Sequence, residues 1–208
     1  MTRVSNLSTG QADASSLPAD RARLKEHKER AADDASVMLA EGIVAHVGIA
    51  DADGPVVIPM TYHFDPATPG ELYLHGAHHS RLMKAVASGE RVCVTVTMVD
   101  ALVYSKSAFN HSVNYRSVVC FCRAAAVQPN RERQRALLQG MIGRYFPGRA
   151  VGPDYAPIPD KHLDVTAFVA LVIDAISAKR LTGGANGPGD NDPAVPGTAG
   201  VVELRPGF

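Results

Sequence analysis

From Ile43 the chain alternates strictly. Ile43, Ala45, Val47 and Ile49 point one way and Val44, His46 and Gly48 the other, which is the period of a β-strand. A turn at Asp51–Gly54 leads to a second alternating run, with Val56, Ile58, Met60 and Tyr62 opposed to Val57, Pro59, Thr61 and His63, so the two strands form a hairpin. Pro59 has no amide hydrogen, so this second strand has an edge or a bulge there, a gap that can admit a ligand. The Pro and Gly residues between Asp65 and Gly70 introduce a third strand at Glu71–His75, broken by Gly76. Alternation returns from Arg91 to Met98, and further strands are expected at about 102–107, 117–127 and 165–179, six or seven in all.

Helical spacing shows in three places. A short helix capped by Asp33 or Asp34 runs through Val37, Met38 and Leu39 to Gly42. Ser80 opens another, with Leu82, Met83 and Val86 on one face and Gly89 closing it. Asn130 caps a third, in which Leu137, Leu138, Met141, Ile142 and Tyr145 recur before Pro147-Gly148; its other face carries Arg131, Arg133, Arg135 and Arg144, the pattern of a solvated surface. The polar stretch 1–33 reads as an N-terminal arm, 34–183 as one folded domain, and the Gly- and Pro-rich 184–208 as a C-terminal arm, a loop or extended segment rather than a packed element. Many short antiparallel strands with few helices predict a mainly β fold, a closed or nearly closed barrel, since closure removes sheet edges. No Gly-x-Gly-x-x-Gly follows a strand, which argues against a doubly wound nucleotide fold.

Composition narrows the function. The 208 residues hold 21 Lys+Arg against 21 Asp+Glu, so the basic excess that drives phosphate-backbone binding is missing and no nucleic-acid partner is expected. Cys93, Cys120 and Cys122 are odd in number and lack disulfide or zinc spacing; Cys120 and Cys122 share one strand face as buried structural thiols. With no apolar run before residue 37 and none elsewhere long enough to span a bilayer, a cytoplasmic protein without a membrane partner is expected.

Two segments concentrate polar chemistry. In Leu74-His75-Gly76-Ala77-His78-His79-Ser80-Arg81 a strand passes to a helix start, where amides, a hydroxyl and a guanidinium suit a phosphate, with Lys84 one turn on. The alternative is that Ser80 only caps the helix and Arg81 is solvated. His75, His78 and His79 lack ligands at suitable spacing, so no metal site is expected. The second segment, Ser105–Ser117, offers donors, an aromatic ring and two cations between apolar strands, as either a functional loop or turn chemistry alone. Ser107, His111 and Asp100 can be assembled into a triad, but no nucleophile elbow frames a serine, so a hydrolase is disfavoured.

In order along the chain, Ala45-His46-Val47-Gly48, Val57-Ile58-Pro59, Leu72–Gly76, Ser80-Arg81, Val92–Thr97, Ser107-Ala108-Phe109, His111–Val118 and Ser177-Ala178-Lys179 resemble the pyridoxamine 5′-phosphate oxidase-like family of flavin-binding split barrels. Asn114–Val118 is the most specific piece and is also similar to nitroimidazole-resistance proteins of the same fold. The resemblance implies a six-stranded antiparallel split β-barrel of Greek-key type, dimerising to bind FMN in two clefts at the subunit interface. By position it implies that Ser80 and Arg81 hold the phosphate, with Lys84 adding charge. Pro59, Met60 and Thr61 line the flavin edge, and His75 and Gly76 lie beside the ring system or ribityl chain. Ser107, Asn114 and Arg116 support the cleft. The oxidases commonly follow Ser-Arg with Lys, whereas Leu82 stands here, which implies a weaker or rearranged phosphate contact.

Three functions follow as expectations. The first is an FMN-dependent oxidoreductase acting on a small organic substrate, with no residue marked as its acid or base. The second is a haem protein on the same barrel, using His46, His63, His75 or His111 as axial ligand. The third is a non-catalytic flavin-binding module whose Gly/Pro tail and basic helix face meet a partner.

Overall fold

The computed structural model describes residues 31–204, so the expected N-terminal arm lies, up to residue 30, outside the described residues. Helix α1 (Ala31–Glu41) is followed by β1 (Val44–Asp51) and β2 (Gly54–Thr61), paired in the hairpin that the alternation predicts. Gly54 closes its turn at φ +96°, a left-handed conformation that favours glycine. Strands β3 (His63–Phe64) and β4 (Glu71–Ala77) come next, then α2 (Arg81–Ala87), β5 (Arg91–Tyr104) and β6 (Ser112–Val127). Helices α3 (Arg131–Tyr145) and α4 (Asp160–Leu163) precede β7 (Thr166–Leu181) and β8 (Gly200–Glu203).

The sheet order is β2-β1-β5-β6-β7-β4-β3, with β8 on β5. Its two end strands, β2 and β3, are separated in the chain by Tyr62 alone, so the sheet closes on itself as a barrel. The strands number eight rather than six. One of the extra two arises where the run from Gly54 to Phe64 breaks at Tyr62, and the other is β8 in the C-terminal arm. The runs expected at 91–98 and 102–107 are a single strand, because a bulge between Val99 and Ala101 absorbs one residue without ending the ladder. Similarly, β6 begins at Ser112, so Asn114 and Arg116 are strand residues rather than loop residues.

Inward positions of these strands form the main core, including Ala45, Val47, Val94, Val96, Val118 and Cys120, closed at the ends by Met38 and Leu39 of α1 and Leu82, Met83 and Val86 of α2. Burial pushes the Cys120 thiol up to about 12, and Cys122 is raised likewise, as inert structural thiols should be. Outside the barrel, α3 covers a second core of Tyr73, Leu137, Leu163, Phe168 and Ala170. Gly42 joins α1 to β1 where a Cβ would collide with Val96 and the Tyr62 hydroxyl, so the barrel wall approaches the helix end as closely as glycine permits.

The C-terminal arm is packed more closely than its composition suggests. Asp190 accepts from the Lys106 amide at 2.7 Å, the Gly187 amide at 2.6 Å and the Ser105 hydroxyl at 3.0 Å, and β8 ladders onto Ala101–Tyr104. Backbone groups that a Gly/Pro-rich segment leaves unpaired thus find partners on the far half of β5.

Candidate functional site

Ser80 caps α2, its Oγ accepting from the Met83 amide at 3.2 Å. Arg81 is not simply solvated. Its Nε donates to Asp51 at 2.7 Å, and Nη2 donates to Asp51 and to the Gly54 carbonyl at 2.8 Å, so α2 is tied to the β1–β2 turn. The Arg81 hydrogen bond holds the Asp51 carboxyl below its ordinary value. Nη1 of Arg81 makes no hydrogen bond among the described residues, and Lys84 is exposed one turn further on.

The predicted residues of β2 and β4 do converge. Strand β2 ladders only with β1, which leaves the other edge of Pro59–Thr61 free of a strand partner. Across that gap the Met60 methyl group comes within 3.6 Å of where a Cβ on Gly76 would stand. Thr61 and His75 border one cavity of about 590 Å³, closed by Glu41 at the end of α1, by Ile43 just beyond it and by Leu138, Ile142 and Tyr145 of α3. The His75 ring stacks on Phe168, with centroids 5.9 Å apart and planes 20° from parallel. Its Nδ1 is buried without a partner, and burial lowers its pKa, so the ring is neutral at physiological pH.

Arg144 builds one end of this cavity. Its guanidinium donates to the carbonyls of Leu39 (2.7 Å), Ala40 (2.9 Å), Gly42 and Tyr62 (2.8 Å), and it lies over the Tyr62 and Tyr145 rings at 4.4 and 4.9 Å. Three of these acceptors are the orphan carbonyls that a helix C-terminus leaves, so a cation there satisfies both hydrogen bonding and the dipole of α1. The basic face of α3 stays exposed at Arg131 and Arg133, as expected, but its arginines are also engaged within the chain. Arg131 and Arg135 pair with Asp164 and Asp160 at α4, and Arg133 lies over Tyr73 at 5.5 Å. None of Arg144, Glu41 or Leu138 is marked as a site residue by local spacing, because the Arg144 contacts with α1 bridge 102 to 105 residues of chain.

Arg116 reaches the cavity indirectly. It forks onto Asp100 at the β5 bulge, at 2.8 to 3.2 Å, and pairs with the cavity residue Glu41. Asn114 donates to the Gly183 carbonyl at 3.0 Å and borders a pocket with Val201 and Glu203 of the C-terminal arm, while Ser107 offers its carbonyl to His111 Nδ1 at 3.2 Å within its own loop; neither lines the cavity. With Asp100 held by Arg116 and His111 against a carbonyl, the Ser107–His111–Asp100 triad is not assembled. No cluster of metal-ligating side chains occurs among the described residues, and no helix there is long and apolar enough to cross a membrane.

This barrel recurs in solved structures. The chain is similar to the FAD and haem binding protein from Mycobacterium smegmatis (30% identity, 85% of this chain and 82% of that one, TM-score 0.71). It is similar also to the flavocytochrome Anf3 from Azotobacter vinelandii (28% identity, 92% and 87%, TM-score 0.73). A protein from Bacteroides thetaiotaomicron described as a candidate 5-nitroimidazole antibiotic resistance protein shares the fold at 19% identity, with 71% and 82% covered and a TM-score of 0.58. None of the curated proteins matches the sequence significantly. The family model for pyridoxamine 5′-phosphate oxidase matches residues 31–180, from α1 to the penultimate residue of β7, and so takes in every strand but β8, with the β2–β4 gap and the cavity beneath α3. By that match the chain belongs to the pyridoxamine 5′-phosphate oxidase family.

Proposed function

We propose that this chain is a flavin-dependent oxidoreductase that works in the cytoplasm as a homodimer, binds FMN and acts on a small organic substrate. One observation carries the reading: the free edge of β2 at Pro59–Thr61 runs into the cavity that Thr61 and His75 border. Unpaired backbone groups suit the donor and acceptor edge of a flavin ring, and an apolar cavity of this size suits a small organic ligand. The residues present thus fit a flavin, with Met60 and Gly76 at the gap and Arg81 Nη1, Ser80 and Lys84 as the phosphate contacts. A bound flavin supplies hydride and one-electron chemistry; the chain orients it and keeps water from the substrate. The similarity to proteins named for FAD and haem supports the flavin, and release of the cofactor distinguishes FMN from FAD.

The outer barrel face supports the dimer. Across it run two rows in register, Val57–Gly48–Cys93–Phe121–Ala175 and Pro59–His46–Thr95–Val119–Ser177, in which no Lys, Arg, Asp or Glu occurs. A charge-free sheet face of this kind suits burial against a second copy. On the basic face of α3, Arg131, Arg135 and Arg144 are already engaged within the chain, which weighs against a partner there.

Haem is the second reading, favoured by the names of the two relatives and by the imidazole of His75 at an apolar cavity. Of the four histidines considered, His46 and His111 are exposed and the His63 ring is lodged against Gly140. The fit at His75 is incomplete. Ligating histidines donate their far nitrogen to an acceptor, and Nδ1 here has none. Among the described residues the one cation lining the cavity, Arg144, is spent on carbonyls and cannot meet a propionate.

Titration of flavin fluorescence tests the primary reading. Saturable quenching of FMN is expected, with Kd raised about tenfold or more in Arg81→Ala through loss of a charge-assisted phosphate contact. Equal affinities would move the phosphate away from α2, and absence of quenching by the unsubstituted protein would remove the flavin.

A further inference from the structure

The β5–β6 hairpin continues past the barrel. Strand β1 holds the outer edge of β5 only as far as Val96, and β8 takes up the same edge at Ala101–Tyr104. A bare two-stranded ribbon is marginal in water, and here β5 carries apolar residues on both faces. The two faces meet different fates. Ala101 and Val103 are 3% and 6% exposed although they belong to neither core; they point to the side where Gly187 of the C-terminal arm lies against the Ser105 hydroxyl, held there by Asp190. The opposite face is open. Leu102 pairs with Val113 of β6 and Val202 of β8, and these three are 38–48% exposed, with Tyr104 beside them.

This open face runs without a break into the charge-free rows on the barrel. Outward positions of β6 lead from Phe121 and Val119 through Ser117 and Tyr115 to Val113, and the extra residue at the β5 bulge, Asp100, lets Val99 and Leu102 face the same way. Of the residues in register between, Lys179 alone is charged. Area explains why the continuity matters. With strands about 4.8 Å apart and outward residues about 6.8 Å apart along each, the two barrel rows cover roughly 24 by 14 Å, about 330 Å², against roughly 800 Å² per partner in a standard interface. The extension adds three strands over about four outward positions, roughly 14 by 27 Å or about 390 Å², which brings the whole close to that size.

We propose that the outer face of the β5–β6–β8 extension docks on a second copy of this chain through Leu102, Val113 and Val202, and that the C-terminal arm makes this face competent by covering the inner side and supplying Val202. The inference rests on the homodimer reading and extends it beyond the residues that the family model matches, since β8 follows residue 180. A second copy is the occupant because neither the barrel rows nor the extension alone reaches the area of a stable interface. The composition agrees. In a two-fold contact each patch meets its own equivalent, so like charges would face one another, and a nearly charge-free apolar strip is compatible with itself.

Sedimentation equilibrium of the full chain, with and without FMN, measures the dimer constant. Leu102→Lys and Val202→Lys should each raise its Kd about tenfold or more by setting like charges in the contact. Val201→Lys, on the other face of β8 where its neighbour is Val103, should leave Kd unchanged. Asp190→Ala, which unties the arm from Lys106, Ser105 and Gly187, should weaken the dimer and speed hydrogen exchange over 200–204. Circular dichroism checks that each variant folds; if the lysine variants do not, Val202→Thr, nearly isosteric and suited to a strand, should raise Kd about threefold. A dimer with the same Kd in the outward variants as in the unsubstituted chain, or one weakened equally by Val201→Lys, would overturn the inference and leave the homodimer reading on the barrel rows. A full chain that stays monomeric under both conditions would remove both.

Discussion

Gly140 lies in the middle of α3, where helix propensity alone favours alanine by about 1 kcal/mol. A Cβ there would stand 2.7 Å from Cε1 of His63, whose ring is packed into the notch that the glycine leaves. Gly140→Ala is therefore expected to reverse the usual sign and destabilise by about 1–3 kcal/mol through overpacking, read as a lower urea midpoint. The same ring carries a pH dependence. Burial lowers the pKa of His63, with the Arg144 charge adding to it, and burial lowers that of His75, both from an ordinary 6.5. Below 6.5 the unfolded chain binds more protons than the folded one, so stability is complete above that pH and is lost as pH falls towards the folded values. Urea midpoints should decline from pH 7.5 to 5.5, and substituting both histidines with apolar residues should flatten the slope. At this scale the sequence was partly legible. The caps of Ser80 and Asn130 are local hydrogen bonds over three residues and can be read from spacing. The fork of Arg81 onto Asp51 spans thirty residues, and nothing local marks it.

Among the elements, α1 is the one whose placement depends most on a single distant side chain. Arg144 joins its last carbonyls to Tyr62 and to α3, and Tyr145 adds a bond from its hydroxyl to the carbonyl of Tyr62. Arg144→Met leaves those acceptors half-buried and unmatched, at an expected cost of about 3 kcal/mol or more. Because Arg144 and the end of α1 both border the cavity, faster hydrogen exchange over 36–43 should accompany the loss. Alternation revealed β1, β2 and the first half of β5, since β1 and β5 have one buried face and β2 has one half-buried face. It failed where polarity interrupts the pattern without ending the strand: Asp100 at the bulge and Asn114 to Ser117 are held in the ladder by tertiary partners. Strand β8 and the one-turn α4 fall in Gly- or Pro-rich stretches, where local pattern gives too little to distinguish them from loop.

At the scale of the molecule, closure through Tyr62 sets the free edge of β2 beside β4, and α1 and α3 roof the cavity next to it. The family-like order of short motifs anticipated that barrel and brought Thr61, Met60, His75 and Gly76 together. Motif order does not carry the partners of side chains, and so Asn114 borders the C-terminal arm and Ser107 bonds within its own loop, while the cavity owes its roof to residues of α3 that read as ordinary core. For the molecule as a whole we propose that a flavin lies along the β2 edge at the mouth of a substrate cavity. An absorbance spectrum of the freshly purified, full-length protein, followed by denaturation and chromatography of the released chromophore, tests it most directly. Flavin bands and released FMN are the expected result; a Soret band in their place, or a colourless protein that also fails to bind added FMN, would contradict it.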